Sequence, residues 1–373
     1  MNPEYVEVPG GYARRKSLKA LSRVDAVIFD CDGVLIDVSK SYLRAPIETC
    51  LLIMELLGSK LRPEPPETSV QAFKETGGFN NDWDVAYAMT VYAVLSAPEG
   101  FRVRLSRLVE ETLTGDALEL FSEVSGRMRQ RPFGDLALDT EGLEGFASLF
   151  DERGVSRMDY VVREAKLPWD TYRAVSKLLA YPGDVGSSVL TTVFEELFCG
   201  PELFRSVYGS EPTFYSGRGL IELEKPIVSR ELLEELVKLL GGRRLGIASG
   251  RSRPLAEHTL GELMGFFVPE ATTFLEDLRG DLSLMKPNPY TLLRSASALE
   301  PFTFVLYVGD SAEDIIASKR AADRDRRFLS ACVHGGAPDP SRALRRFMEL
   351  EADLIIESVN EIPEALRALR GRR

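Results

Sequence analysis

The apolar run Ala26-Val27-Ile28-Phe29 has the character of a strand covered on both faces, yet no second run of that kind follows it until Leu245-Gly246-Ile247-Ala248. From there onward strand and helix patterns alternate. Strands are expected over 245–248, 271–274, 304–308, 331–333 and 354–356, and helices over 229–240, 254–264, 290–298, 312–321, 341–349 and 362–369. Such alternation predicts a doubly wound parallel sheet with right-handed crossovers. One parallel strand cannot form a sheet alone. Residues 26–29 must therefore join the strands that begin near 245, and the stretch between must loop out of the α/β domain.

That stretch reads as all-helical. Apolar residues recur at helical spacing over 39–57, 82–95, 104–130, 140–149, 158–166, 169–179 and 189–198, punctuated by Gly58, Gly115, Pro132, Gly154, Pro182 and Gly200. Residues 62–66 form a proline-rich loop and 1–25 a polar arm with one short helix. The character changes after Ser216-Gly217-Arg218-Gly219. The expected division is a core over 1–38 and 218–373 with a helical domain inserted over 39–217, two domains being ordinary for a chain of 373 residues.

Composition excludes several classes. A net charge of −11 opposes binding to nucleic acid or to an anionic membrane, since both need a basic face. No apolar run approaches the roughly 20 residues of a membrane span, and the first residues lack the charged-then-apolar pattern of a secretion signal. Cys31, Cys50, Cys199 and Cys332 show no CxxC or zinc spacing, which suits a reducing, cytoplasmic setting. Asparagine and glutamine are scarce and Arg and Glu abundant, a bias that thermophile proteins share.

In an open parallel sheet, ligands bind at the carboxyl ends of the strands beside a switch in strand order. The first strand runs into Asp30 and Asp32, the second into Ser249-Gly250-Arg251, and that over 304–308 into Gly309-Asp310-Ser311. Two carboxylates one residue apart at the end of a buried strand are costly unless a cation sits with them. Asp30, Asp32 and Asp310 offer oxygen ligands for Mg²⁺. Ser249 adds a hydroxyl donor, Gly33 and Gly250 allow close backbone approach, and Lys286 in Met285-Lys286-Pro287-Asn288-Pro289 is a fixed cation. The inventory fits a phosphoryl group.

Taken in order, Asp30-Cys31-Asp32-Gly33-Val34, Ile247-Ala248-Ser249-Gly250-Arg251, Lys286-Pro287-Asn288-Pro289 and Val308-Gly309-Asp310-Ser311-Ala312-Glu313-Asp314-Ile315 resemble the four motifs of the haloacid dehalogenase-like hydrolase superfamily, over about 1–40 and 215–373. The resemblance implies a Rossmann-like core. An insertion after the first motif is similar to the C1-type cap of subfamily I, here larger than the compact bundle usual in that class. It further implies that Asp30 is the nucleophile, forming an aspartyl phosphate, and that Asp32 is the general acid and base. Asp30, the backbone carbonyl of Asp32, and Asp310 would hold Mg²⁺, with Asp314 as a supporting acid. Ser249 and Lys286 would serve the reacting phosphoryl group, and Gly33, Gly250 and Arg251 the substrate.

The expected activity is a Mg²⁺-dependent phosphatase acting on a small-molecule phosphate ester, such as a sugar phosphate or a phosphoglycolate-like acid. The alternatives are a phosphomutase of the β-phosphoglucomutase kind and a non-enzymatic binding protein on the same fold. A dehalogenase would use neither Mg²⁺ nor the second aspartate. Within the insertion, Phe73-Lys74-Glu75-Thr76-Gly77-Gly78-Phe79-Asn80-Asn81-Asp82-Trp83-Asp84 holds two of the chain's five asparagines, and Lys74, Asn80 and Asn81 are candidate substrate contacts. The plainer reading of the same string is a helix N-cap and a packed Trp83. Cys31 alternates away from its flanking aspartates and is expected in the core.

Overall fold

The computed structural model describes residues 2–79 and 81–371. In chain order its strands are β1 (Tyr5–Val8), β2 (Gly11–Arg14), β3 (Ala26–Phe29), β4 (Ile36–Asp37), β5 (Ser59–Arg62), β6 (Gly134–Ala137), β7 (Lys225–Pro226), β8 (Leu245–Ala248), β9 (Thr272–Thr273), β10 (Val305–Gly309), β11 (Phe328–Val333) and β12 (Leu354–Ile356). Two compact units result: one built from the chain up to Ser39 and from Glu224 onward, the other from Lys40–Leu223. The sequence pattern puts the second junction at 217/218. Leu220–Leu223 instead form a 3₁₀ turn packed on the helix Val189–Tyr208, which keeps them in the inserted unit.

The first unit carries an eight-stranded sheet in the order β1-β2-β12-β11-β10-β3-β8-β9. β3 pairs in parallel with β10 on one side and β8 on the other. The chain runs β3, β8, β9 outward in one direction, then crosses back to build β10, β11 and β12 in the other. The reversal lies between β3 and β10. Strand alternation divides the core: Val27, Phe29, Leu306 and Val308 face the helices Arg230–Leu240 and Ile362–Gly371, while Ala26, Ile28, Val305 and Tyr307 face Tyr290–Ser297 and Ala312–Arg324.

Residues 1–25 are more than an arm. β1 and β2 form a hairpin, and β2 adds antiparallel to β12 with Tyr12 opposite Ile355. The hairpin covers what would otherwise be an open sheet edge. Gly11 permits this, because a Cβ there would lie 1.9 Å from the Ile355 carbonyl oxygen. Neither segment is a continuous apolar run like Ala26–Phe29, so the sequence pattern does not announce them.

The inserted unit is built mainly of helices, with Asp82–Ser96 at its centre; every residue from Val85 to Leu95 is buried. It is not all-helical, since β5 pairs in parallel with β6 from Ser59↔Gly134 to Arg62↔Ala137. The single helix expected over 104–130 is two, Glu99–Glu111 and Ala117–Arg129, because Asp116 accepts from the Glu119 N–H and starts a new helix. Among the described residues no helix is long and apolar enough to cross a membrane.

Candidate active site

The carboxyl ends of β3 and β10 lie side by side at the reversal of strand order, with Phe29 opposite Val308. The Asp30 N–H donates to the Val308 carbonyl (2.8 Å), which continues the ladder one residue beyond β3. The chain then turns tightly: the Leu35 and Ile36 N–H groups both donate to the Cys31 carbonyl, at 2.7 and 2.9 Å. Gly33 sits in this turn at φ +72°, facing Asp310 so closely that a Cβ would stand 2.0 Å from Asp310 Oδ2.

Lys286 joins the two strand ends. Its ammonium donates to Asp30 Oδ2 (2.6 Å), Asp314 Oδ1 (2.7 Å) and the Tyr307 hydroxyl (3.2 Å). Tyr307 in turn donates to Asp314 Oδ1 at 2.8 Å. Asp314 is also half of a capping box that starts the helix Ala312–Arg324. Its Oδ2 accepts from the Asp310 N–H (3.2 Å), the Ser311 N–H (3.0 Å) and the Ser311 hydroxyl (2.6 Å). With five donors on its two oxygens, Asp314 is fully engaged in holding Lys286 and the Asp310 loop.

Electrostatically the cluster is short of positive charge. Burial, outweighing the pull of Lys286 and reinforced by Asp314 and Asp32, pushes the Asp30 carboxyl up to about 6. Asp310 reaches solvent yet is ringed by protein; that desolvation, with the charges of Asp314 and Asp30, holds it well above the carboxylate range. Burial works against Asp314 too, but Lys286 and the hydroxyl donors keep it below its ordinary value. Burial likewise disfavours the Lys286 ammonium, and the charges of Asp30 and Asp314 overcome it and raise its affinity for the proton. One carboxylate oxygen from each of Asp30, Asp310 and Asp314 lies within 4.8 Å of the others. Once all three acids are ionised they exceed the one ammonium by two negative charges, a deficit and an oxygen donor set that fit one hard divalent cation.

Asp32 points elsewhere. Its Oδ1 accepts from Arg251 Nη1 at 2.7 Å, and the same guanidinium pairs with Glu224. Arg251, expected from the sequence as a substrate contact, has its side chain only 4% exposed and paired with Asp32 and Glu224. Ser249 is buried beside Cys31; its N–H donates to the Thr273 carbonyl (3.0 Å) and its hydroxyl accepts from the Arg251 N–H (3.3 Å). Gly250 would carry a Cβ at ordinary contact distance, 3.5 Å from Met285. Cys31 lies in the core, where burial raises its thiol well above the ordinary range.

The insertion's candidate residues have local tasks. Lys74 pairs with Asp82 at 2.8 Å and stands 5.2 Å from the Tyr42 ring centre. Asn81 is the N-cap of Asp82–Ser96, accepting from the Trp83 N–H at 3.0 Å. Asn80 lies outside the described residues. Two residues of the first unit escaped the sequence reading. Tyr307 had one visible signal, a hydroxyl within an apolar strand that must find a partner when buried; Glu224 had none.

Gly33→Ala tests the tight turn. Left-handed strain of about 1–2 kcal/mol, with displacement of Asp310, is expected to lower the unfolding midpoint by several degrees. An unchanged midpoint by calorimetry would show that the loop has room to spare.

Comparison with known proteins gives a consistent picture. A family model described as haloacid dehalogenase-like hydrolase matches residues 195–322, which takes in Ser249, Lys286, Asp310 and Asp314 and leaves out Asp30. A structural-genomics crystal structure superposes with TM-score 0.65 at 16% identity over 93% of this chain and 100% of that one. The phosphatase Tt82 from Thermococcus thioreducens gives TM-score 0.51 at 22% identity, covering 86% and 98%. At these identities the likeness is one of fold. No curated protein matches the sequence.

Proposed function

This chain belongs to the haloacid dehalogenase-like hydrolase superfamily, and from that premise we propose that it is a Mg²⁺-dependent phosphatase of small-molecule phosphate esters. The reading rests chiefly on one observation: Asp30 is held by Lys286 at 2.6 Å in a cluster whose two surplus negative charges match a divalent cation. A phosphatase from Thermococcus thioreducens shares the fold.

Asp30 attacks phosphorus, forming an aspartyl phosphate as the bond to the leaving oxygen breaks, and Asp32 gives that oxygen a proton. Water then attacks the same phosphorus, Asp32 takes its proton, and Asp30 is released. A carboxylate approaching a phosphate dianion meets repulsion, which Lys286 and the Ser249 hydroxyl offset at the phosphoryl oxygens. Bound Mg²⁺ supplies further positive charge for those oxygens. Asp30, Asp310 and the backbone carbonyl of Asp32 would hold it, with the fully occupied Asp314 fixing Lys286 and the Asp310 loop behind them.

The test is phosphate release across a panel of sugar phosphates and phospho-acids, with Mg²⁺ and with EDTA. Release that requires Mg²⁺ is expected; no release from any member overturns the reading, and an isomerised sugar phosphate without free phosphate points to a mutase. Mg²⁺ at about 100 times its dissociation constant should stabilise the fold by about 2.7 kcal/mol. Asp310→Asn is expected to remove most of that gain in calorimetry while leaving the metal-free protein folded. A full Mg²⁺ response in the variant would place the ion elsewhere.

A further inference from the structure

We propose that Arg251 and Glu224 act as a positioning pair that aims Asp32 at the leaving-group oxygen; this rests on the phosphatase reading above. The side chain of Arg251 is 4% exposed and that of Glu224 is 0% exposed. A charge so far from water needs an opposite charge, and Glu224 provides it by accepting from the two terminal guanidinium nitrogens, Nη2 and, at 3.4 Å, Nη1. Glu224 is itself held by the Thr259 hydroxyl at 3.1 Å. With the two charges cancelled between them, what reaches Asp32 is a directed N–H from Nη1 at 2.7 Å.

The pair is rigid because its backbone is. The Arg251 N–H donates to Ser249 Oγ (3.3 Å), and its carbonyl accepts from the Leu275 N–H (3.1 Å). Glu224 immediately precedes β7, which pairs antiparallel with β4 at the end of the Asp32 loop, Asp37 opposite Lys225. The Ile227 N–H also donates to the Leu35 carbonyl at 2.8 Å. Glu224, Arg251 and the loop that carries Asp32 thus form one braced assembly. An acid must stand within hydrogen-bond reach of the oxygen it serves, and a displacement of about 1 Å can cost about 10²-fold.

The step identifies the experiment. As the Asp30 oxygen–phosphorus bond forms, the electron pair of the breaking bond goes to the leaving oxygen, which takes the Asp32 proton. An alkoxide leaving group needs that proton; p-nitrophenolate departs without it. For Arg251→Met and Glu224→Gln, kcat/KM on β-glycerophosphate is expected to fall about 10²-fold and on p-nitrophenyl phosphate by less than about threefold. Arg251→Lys should recover part of the loss on β-glycerophosphate. The double variant E224Q/R251M should be no worse than R251M, since Glu224 acts through Arg251, and with both charges gone it remains testable where E224Q alone fails to fold.

Equal losses on the two esters with a raised KM would make Arg251 a substrate grip and overturn the proposal, as would no loss on either. A parent protein that hydrolyses neither ester while passing every folding check overturns the phosphatase reading itself, a distinguishable result.

Discussion

Asp30→Asn is expected to abolish turnover, lowering kcat by at least about 10⁴-fold on every ester the protein accepts. The substitution keeps the side chain's size and its acceptor for the Cys31 N–H, made at 2.8 Å, but replaces the attacking oxygen with an amide. It also removes one of the mutually repelling acids whose crowding, with burial, raises the Asp30 carboxyl. Lys286 keeps Asp314 as a partner at 2.7 Å, so the loss of its pair with Asp30 is offset by that relief, and the unfolding midpoint should stay close to the parent's. Labelled substrate should leave phosphate on the parent, trapped by acid quench, and none on the variant. Activity within tenfold of the parent would falsify Asp30 as the nucleophile.

Lys286→Met is expected to cost stability as well as activity. Removing the ammonium leaves Asp30 and Asp314 facing each other without the cation that now lies 2.6 and 2.7 Å from them. Breaking a buried pair from one side costs about 3–5 kcal/mol, because the remaining charge has lost its partner. Chemical denaturation in EDTA should show that loss, Mg²⁺ should recover part of it, and Asp314→Asn in the same background should recover part by removing one unpaired acid. Turnover should fall by about 10²–10³-fold, the scale of losing one preorganised donor to a developing charge. Unchanged stability in EDTA would mean that Lys286 carries no weight in the cluster.

Asp30, Ser249 and Asp310 were legible because each follows a strand that ends in an abrupt change from apolar to polar: Phe29 to Asp30, Ala248 to Ser249, Gly309 to Asp310. Their convergence follows from a parallel sheet, whose strand ends share one edge. The N-terminal hairpin was not legible. β1 and β2 are short, and their reason for existing is the edge of β12, formed by residues far along the chain. β5 and β6 escaped for the same reason, each being a strand only because the other is beside it.

Arg251 shows the limit most clearly. Its place after Ser249-Gly250 marks it as a charge near the site, and that much is local. Its partners are Asp32, 219 positions away, and Glu224, which no pattern distinguishes from the many other glutamates of the chain. Tyr307 likewise reads as one more apolar strand residue until Lys286 and Asp314 are seen around its hydroxyl. Periodicity and strand-end chemistry are properties of neighbouring residues, so they carry the sheet, the insertion and the acids from the order of amino acids alone. Which acid faces which cation depends on burial and direction in space, and those arise only once distant segments have packed together.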